Sequence, residues 1–201
     1  MGKVFDEIDA KLVEWMRRQR LFFVGTAPTS ADGHINVSPK GLIETFRVLG
    51  PRRVAYLDFV GSGVETIAHL NDNGRIVIMF CAFEGPPRIV RLHGRGRVTQ
   101  LGDPRFEELA AEFDLDAIAD AGVIDGIRSI IEVELTRIAD SCGYVVPRMS
   151  YEGERSQMPA WQRAQIAKKG RSAIVDYARE MNGTSIDALP GIDLAVLPPG
   201  T

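Results

Sequence analysis

Apolar and polar positions alternate along this chain with two periods, and the switch between them marks out its elements. Phe5, Ile8, Leu12 and Trp15/Met16 recur at helical spacing among acidic and basic residues. They predict an amphipathic helix of about four turns ending near Arg20. LFFVGTAP (21–28) is short, apolar and stopped by Pro28, the pattern of a buried strand. SADG (30–33) is turn chemistry, so HINVSPKG (34–41) is expected to return as the second strand of a hairpin. RVAYLDF (53–59) reads as another strand and is broken by Gly61-Ser62-Gly63. Val64, Ile67 and Leu70 then take helical spacing, and Asn73-Gly74 closes that helix in the manner of a left-handed cap. RIVIMFCAF (75–83) predicts a fully buried strand, and GPP the turn after it. From Arg88 the alternation is strict: Val90, Leu92, Gly94, Gly96 and Val98 face one way, Arg91, His93, Arg95 and Arg97 the other.

Asp103-Pro104 predicts a helix start, with Asp103 as N-cap and Pro104 in the first helical position, ahead of FEELAAEF. Residues 127–138 return to strand-forming sequence (IRSIIEVELTRI). The last third reads as helix from Pro159 to about Met181, interrupted at Lys169-Gly170, and LPGIDLAVLPPGT (189–201) as an arm or loose tail. Strands grouped in the first two thirds, with helices inserted between hairpins, give an α+β fold with an antiparallel barrel. No repeat or linker divides the chain: residues 1–150 are expected to form the barrel, and 151–201 a helical extension packed on it or on a partner subunit.

Composition narrows the function classes. The chain has 201 residues, 45% of them hydrophobic, and a net charge of −3 with both signs interspersed. One core of ordinary size follows, and the basic balance of a nucleic-acid binder is missing. No apolar run approaches the ~20 residues of a membrane span. The N-terminus is acidic and amphipathic, unlike a signal peptide. Cys81 and Cys142 stand alone without CxxC spacing, so reduced thiols and a cytoplasmic protein are expected. His34, His69 and His93 lie far apart, without metal-ligand spacing. Ser38 lacks the nucleophile-elbow context, and no Walker A or GxGxxG sequence is present. Cys142 has no nucleophile signature, and a buried apolar thiol is its default.

The order of these pieces carries a resemblance. An N-terminal helix, LFFVGT, a hairpin ending in NVSPKG, a strand ending in Asp58, a Gly-Ser-Gly turn opening a helix, RIVIMF and RIVRLHGRGRV follow one another over residues 5–140. This resembles the FMN-binding split barrels of the pyridoxamine 5'-phosphate oxidase-like superfamily. The resemblance implies an antiparallel split β-barrel with peripheral helices, a homodimer, and flavin sites at the subunit interface. The flavin ring would lie along Asn36-Val37-Ser38-Pro39-Lys40, with Lys40 reaching the cofactor. A cation there stabilises the negative charge of the reduced ring. Pro39 lacks an N–H and must sit at an edge or bulge, where a strand opens towards a ligand. Gly61, Ser62 and Gly63 would offer amides at a helix start to the phosphate, with hydroxyls from Ser62 and Thr66. The same residues also read as an ordinary N-cap by Ser62. Asp58 at the strand end, and Arg88 and Arg91 on the bordering strand, complete the implied cofactor set.

Two departures stand out. Relatives often carry Arg or Arg-Lys at this helix start, whereas this chain has Glu65-Thr66. Either Glu65 points away and Arg88 or Arg91 supplies charge, or FMN is not the ligand. The C-terminal Arg motif of true pyridoxamine 5'-phosphate oxidases is also missing, so the vitamin B6 reaction is not expected. Tyr144, Arg155 and Trp161 are candidates to reach a partner's flavin, or else pack a helix onto the barrel. The resulting expectation is an FMN-dependent oxidoreductase acting on a small molecule, with no side-chain nucleophile. Its alternatives are a deazaflavin-dependent reductase and a non-catalytic member of the same fold.

Overall fold

A computed structural model describes residues 2–198. Eight strands, β1 (Val4–Phe5), β2 (Phe22–Thr26), β3 (Asn36–Lys40), β4 (Phe46–Gly50), β5 (Arg53–Phe59), β6 (Arg75–Cys81), β7 (Ile89–Gln100) and β8 (Ile127–Ser141), form one sheet. Around it lie α1 (Ala10–Arg17), α2 (Glu65–Asn73), α3 (Phe106–Ala110), α4 (Leu115–Asp120), α5 (Gln157–Lys169) and α6 (Ser172–Met181). The strand order is β3-β2-β6-β7-β8-β5-β4, with β1 pairing the far end of β8, and every pairing is antiparallel. This is the expected α+β split barrel with peripheral helices.

The long β7–β8 pair is the spine. Its register shifts between His93 and Gly94, and a Cβ on Gly94 would stand 2.3 Å from the Glu134 carbonyl oxygen. Only glycine permits that approach, which bends both strands. Inside the curl, Phe22, Phe46, Tyr56 and Phe80 stack with ring centroids 5.1–5.6 Å apart. On the outer face, Ala55, Leu57 and Ile130 bury against Phe106, Leu109, Phe113 and Ile118 of the α3–α4 region. β5 and β8 are thus covered on both sides, which is why VAYL (54–57) runs without a charged residue.

Several boundaries differ from the sequence expectations. The N-terminal helix is shorter, because the Asp9 carboxylate accepts the Leu12 N–H at 2.7 Å and starts α1 there. Val4 and Phe5 pair instead with Ala139 and Ile138. β6 is not fully buried: Ile76, Ile78 and Phe80 enter the core while Val77 and Met79 are half-buried on the other side. Asp103 accepts the Arg105 N–H in a turn that holds Pro104, and the helix begins only at Phe106. Cys142 is exposed, not a buried thiol.

The final segment is not a loose tail as far as residue 198; residues 199–201 of that stretch lie outside the described ones. Pro190 bridges Thr184, Ile192 and Leu197 are buried in the main core, and Asp193 exchanges two hydrogen bonds with the Gln100 amide. α5 and α6 pack on the same core through Trp161, Ile166 and Ile174. Among the described residues, no helix is long and apolar enough to cross a membrane.

Candidate functional site

Where β3 ends, β5 leaves the sheet and α2 begins, the chain encloses a cleft of about 990 Å³. Ser38, Pro39 and Lys40 form one wall, Gly61, Ser62, Gly63, Glu65 and Thr66 the facing one, and Met158 and Pro159 of α5 a third. Pro39 can stand there because β3 is the edge strand of the sheet. Seven of the residues expected to bind the cofactor, Ser38, Pro39, Lys40, Gly61, Ser62, Gly63 and Thr66, therefore meet on one surface.

Beneath it lies a buried ionic cluster. Asp58 is fully buried at the end of β5, and its two carboxylate oxygens are divided between cations. Lys40 Nζ donates to Oδ1 at 2.9 Å and Arg128 Nε to Oδ2 at 2.7 Å, with the Ser129 hydroxyl 3.4 Å from Oδ2. Burial alone would raise the Asp58 pKa, but the Arg128 and Lys40 charges and hydrogen bonds outweigh it and hold it at about 2. Asp58 is thus a structural anion that orients two cleft cations. Arg128 also donates from Nη1 to the Gly63 carbonyl at 2.8 Å, tying the Gly-Ser-Gly turn to β8. Asn182 Nδ2 holds the same turn from the other side, donating to the Gly61 carbonyl at 2.8 Å.

The start of α2 is open. Its N-cap is Val64, which offers no side-chain cap, so Ser62 does not play that part. The amides of Ser62, Gly63, Val64, Glu65 and Thr66 find no acceptor among the described residues. Unsatisfied donors at a helix start, beside a buried guanidinium, form an anion-binding corner. Glu65 opposes it. Its Oε2 stands 2.4 Å from where a Gly63 Cβ would be, so the carboxylate curls over the turn and lines the cleft.

The remaining residues lie elsewhere in the single chain. Val37 points outward from β3, 66% exposed. Arg88 borders a second cleft of about 730 Å³, ion-paired to Asp140 at 2.9 Å and lying over the Trp15 ring at 5.1 Å. Arg91 donates to Ser141 Oγ at 3.0 Å. Trp161 stacks edge-on with Tyr177 at 4.9 Å, packing α5 against α6. Arg155 does line the main cleft, as do Arg20 and Tyr151. Two cleft cations, Arg20 and Arg128, were missed by sequence reading, and Arg128 is the buried one. The signal of Arg128 was a lone charge within the mostly apolar start of β8, IRSII.

The chain falls within a known group. The model of the pyridoxamine 5'-phosphate oxidase family matches residues 8–142. A relative from Aspergillus flavus, the pyridoxamine 5'-phosphate oxidase family protein ustO, is 36% identical over 202 residues. The match covers 96% of this chain and 78% of that protein. The chain belongs to the pyridoxamine 5'-phosphate oxidase family. Among solved structures, HupZ of Group A Streptococcus is 22% identical, with a TM-score of 0.49 over 65% of this chain and 91% of that one. An FMN-binding protein from Syntrophomonas wolfei is 14% identical, with a TM-score of 0.47 over 65% of this chain and 86% of that one.

Proposed function

We propose that this family member binds flavin mononucleotide in the main cleft and acts as an oxidoreductase on a small molecule. The observation that carries the reading is the run of amides at 62–66 that lack an acceptor among the described residues, opening onto the cleft beside Arg128. These donors suit a phosphate, with the Thr66 hydroxyl on the same approach. A cleft of about 990 Å³ also suits a ligand of flavin size. Lys40 gives one of its three ammonium protons to Asp58, which leaves donors for the electron-rich edge of a flavin ring along Ser38–Lys40. Bound flavin would supply hydride acceptance or delivery; the chain's own residues bind, orient and exclude water.

The site is proposed to be completed by a second copy of the chain. β3 is an edge strand, Ile35 just before it and Val37 on it are exposed at 76% and 66%, and such an edge favours association. In a homodimer, Val37, Arg88, Arg91 and Trp161 would be the residues available to the partner's cofactor.

The test is an absorbance spectrum of purified protein, followed by thermal melts with added flavins. An absorption band near ~450 nm and a higher melting temperature with FMN are expected. Stabilisation by a deazaflavin but not FMN would replace this reading with that of a deazaflavin reductase. No shift with any flavin would overturn flavin binding altogether. Glu65→Arg is expected to tighten FMN binding by about tenfold, since it removes a carboxylate beside the phosphate and adds a cation. Unchanged or weaker retention would show that the phosphate lies elsewhere.

A further inference from the structure

Behind the cleft runs a chain of side-chain hydrogen bonds. Asn36 Oδ1 is 2.9 Å from Ser38 Oγ, and Asn36 Nδ2 is 3.0 Å from Thr66 Oγ1 and 3.3 Å from Thr26 Oγ1. Thr26 Oγ1 lies in turn 3.0 Å from Nδ1 of the fully buried His69, whose Nε2 has no partner among the described residues. Ser38 and Thr66 line the cleft; Asn36 and His69 do not.

An amide nitrogen only donates and an amide oxygen only accepts, so Asn36 dictates what each hydroxyl can do. Ser38 has its proton committed to Oδ1 and turns lone pairs to the cleft. Thr66 and Thr26 each accept from Nδ2, which leaves their protons to go elsewhere. Thr26 has His69 Nδ1 as acceptor. Thr66 has no other hydrogen-bond partner among the described residues, and its proton is available to the cleft.

We infer that Asn36 is a positioning residue that gives the two cleft hydroxyls opposite polarity: Thr66 donates and Ser38 accepts. The ligand therefore presents an acceptor oxygen to Thr66 at the start of α2 and an N–H or O–H donor to Ser38 on β3. The identity of that ligand as FMN rests on the reading above; the polarity does not.

The network has only one other sense in which the buried Thr26 proton also finds an acceptor among the described residues. With the Asn36 amide turned over, both threonines would donate to it and His69 would have to carry its proton on Nδ1 to reach Thr26. The buried imidazole thus reports the direction of the whole chain. Nitrogen NMR of the wild-type protein is expected to show neutral His69 protonated on Nε2 only. Protonation on Nδ1 would overturn the inference, whether or not any flavin binds.

Affinity for FMN relative to riboflavin, which lacks the phosphate, gives a second readout. Thr66→Val is expected to lower that ratio about tenfold, the worth of one hydrogen bond to a charged group. Asn36→Ala should lower it comparably, and the double variant by about tenfold rather than about a hundredfold, because both act through one proton. An unchanged ratio in Asn36→Ala, or independent losses that multiply, would overturn the assignment. If the wild type binds neither flavin, the cofactor reading fails while the His69 proton still decides the polarity.

Discussion

Arg128→Met is expected to lower the melting temperature by roughly 10 °C or more and to weaken FMN binding. Arg128 is 5% exposed and supplies the 2.7 Å contact to a fully buried Asp58. Removing one partner of a buried ion pair leaves the other charge without compensation, at a cost of about 3–5 kcal/mol. For a chain of this size each kcal/mol moves the midpoint by about 2–4 °C. Lys40 remains at 2.9 Å from Asp58 and moderates the loss, but its own side chain is 23% exposed and more solvated. The Gly-Ser-Gly turn also loses the bond from Arg128 to the Gly63 carbonyl, so the effect spreads to the cleft wall. Replacing both charges, as in Asp58→Leu with Arg128→Met, should recover much of the stability while leaving binding impaired. A melting temperature of Arg128→Met within about 2 °C of wild type would show that the pair contributes little.

Acid unfolding offers a second large effect with a defined sign. The folded Asp58 carboxyl is held at about 2, below its ordinary value of 3.8. Its contribution is therefore complete above about pH 4 and disappears as pH falls towards about 2. A depression of nearly two units corresponds to roughly 2–3 kcal/mol. Asp58→Asn should be less stable than wild type at pH 7, and the gap should close on acidification as wild type loses what the variant never had. In Arg128→Met the burial effect meets less opposition, so the pH dependence of Asp58 should flatten. Urea titrations at pH 7, 4 and 2.5 measure both; a gap between wild type and Asp58→Asn that stays constant over this range would contradict the assignment.

Much of the fold was legible because its strands are short apolar runs punctuated by Gly, Pro and Asn. NVSPKG and the Gly-Ser-Gly break marked the cleft for the same reason: such residues occur where a backbone must leave regular pairing. β4 was missed because Phe46–Gly50 is an edge strand of mostly half-buried residues, without clear alternation. α4 is too short for a period to show, whereas FEELAAEF gave α3 away and only its start was misplaced. The alternation of β7 told which residues share a face, but not that Arg88 turns back to Asp140, fifty-two positions away in sequence. Arg128 was invisible as a cleft residue for a related reason. Its link to Asp58 spans seventy positions and depends on the β5–β8 register, which places Ser129 opposite Asp58. Glu65 was flagged as a conflict from sequence, and the fold keeps that conflict by turning its carboxylate over Gly63.

Hydrogen exchange with and without FMN tests most directly whether the open start of α2 holds the cofactor. The amides of Ser62 to Thr66 have no acceptor among the described residues, so they should exchange rapidly in the free protein and slow markedly when FMN is bound. Saturating FMN that leaves those amides unprotected, or protects the second cleft around Trp15 and Arg88 in their place, would contradict the proposed site.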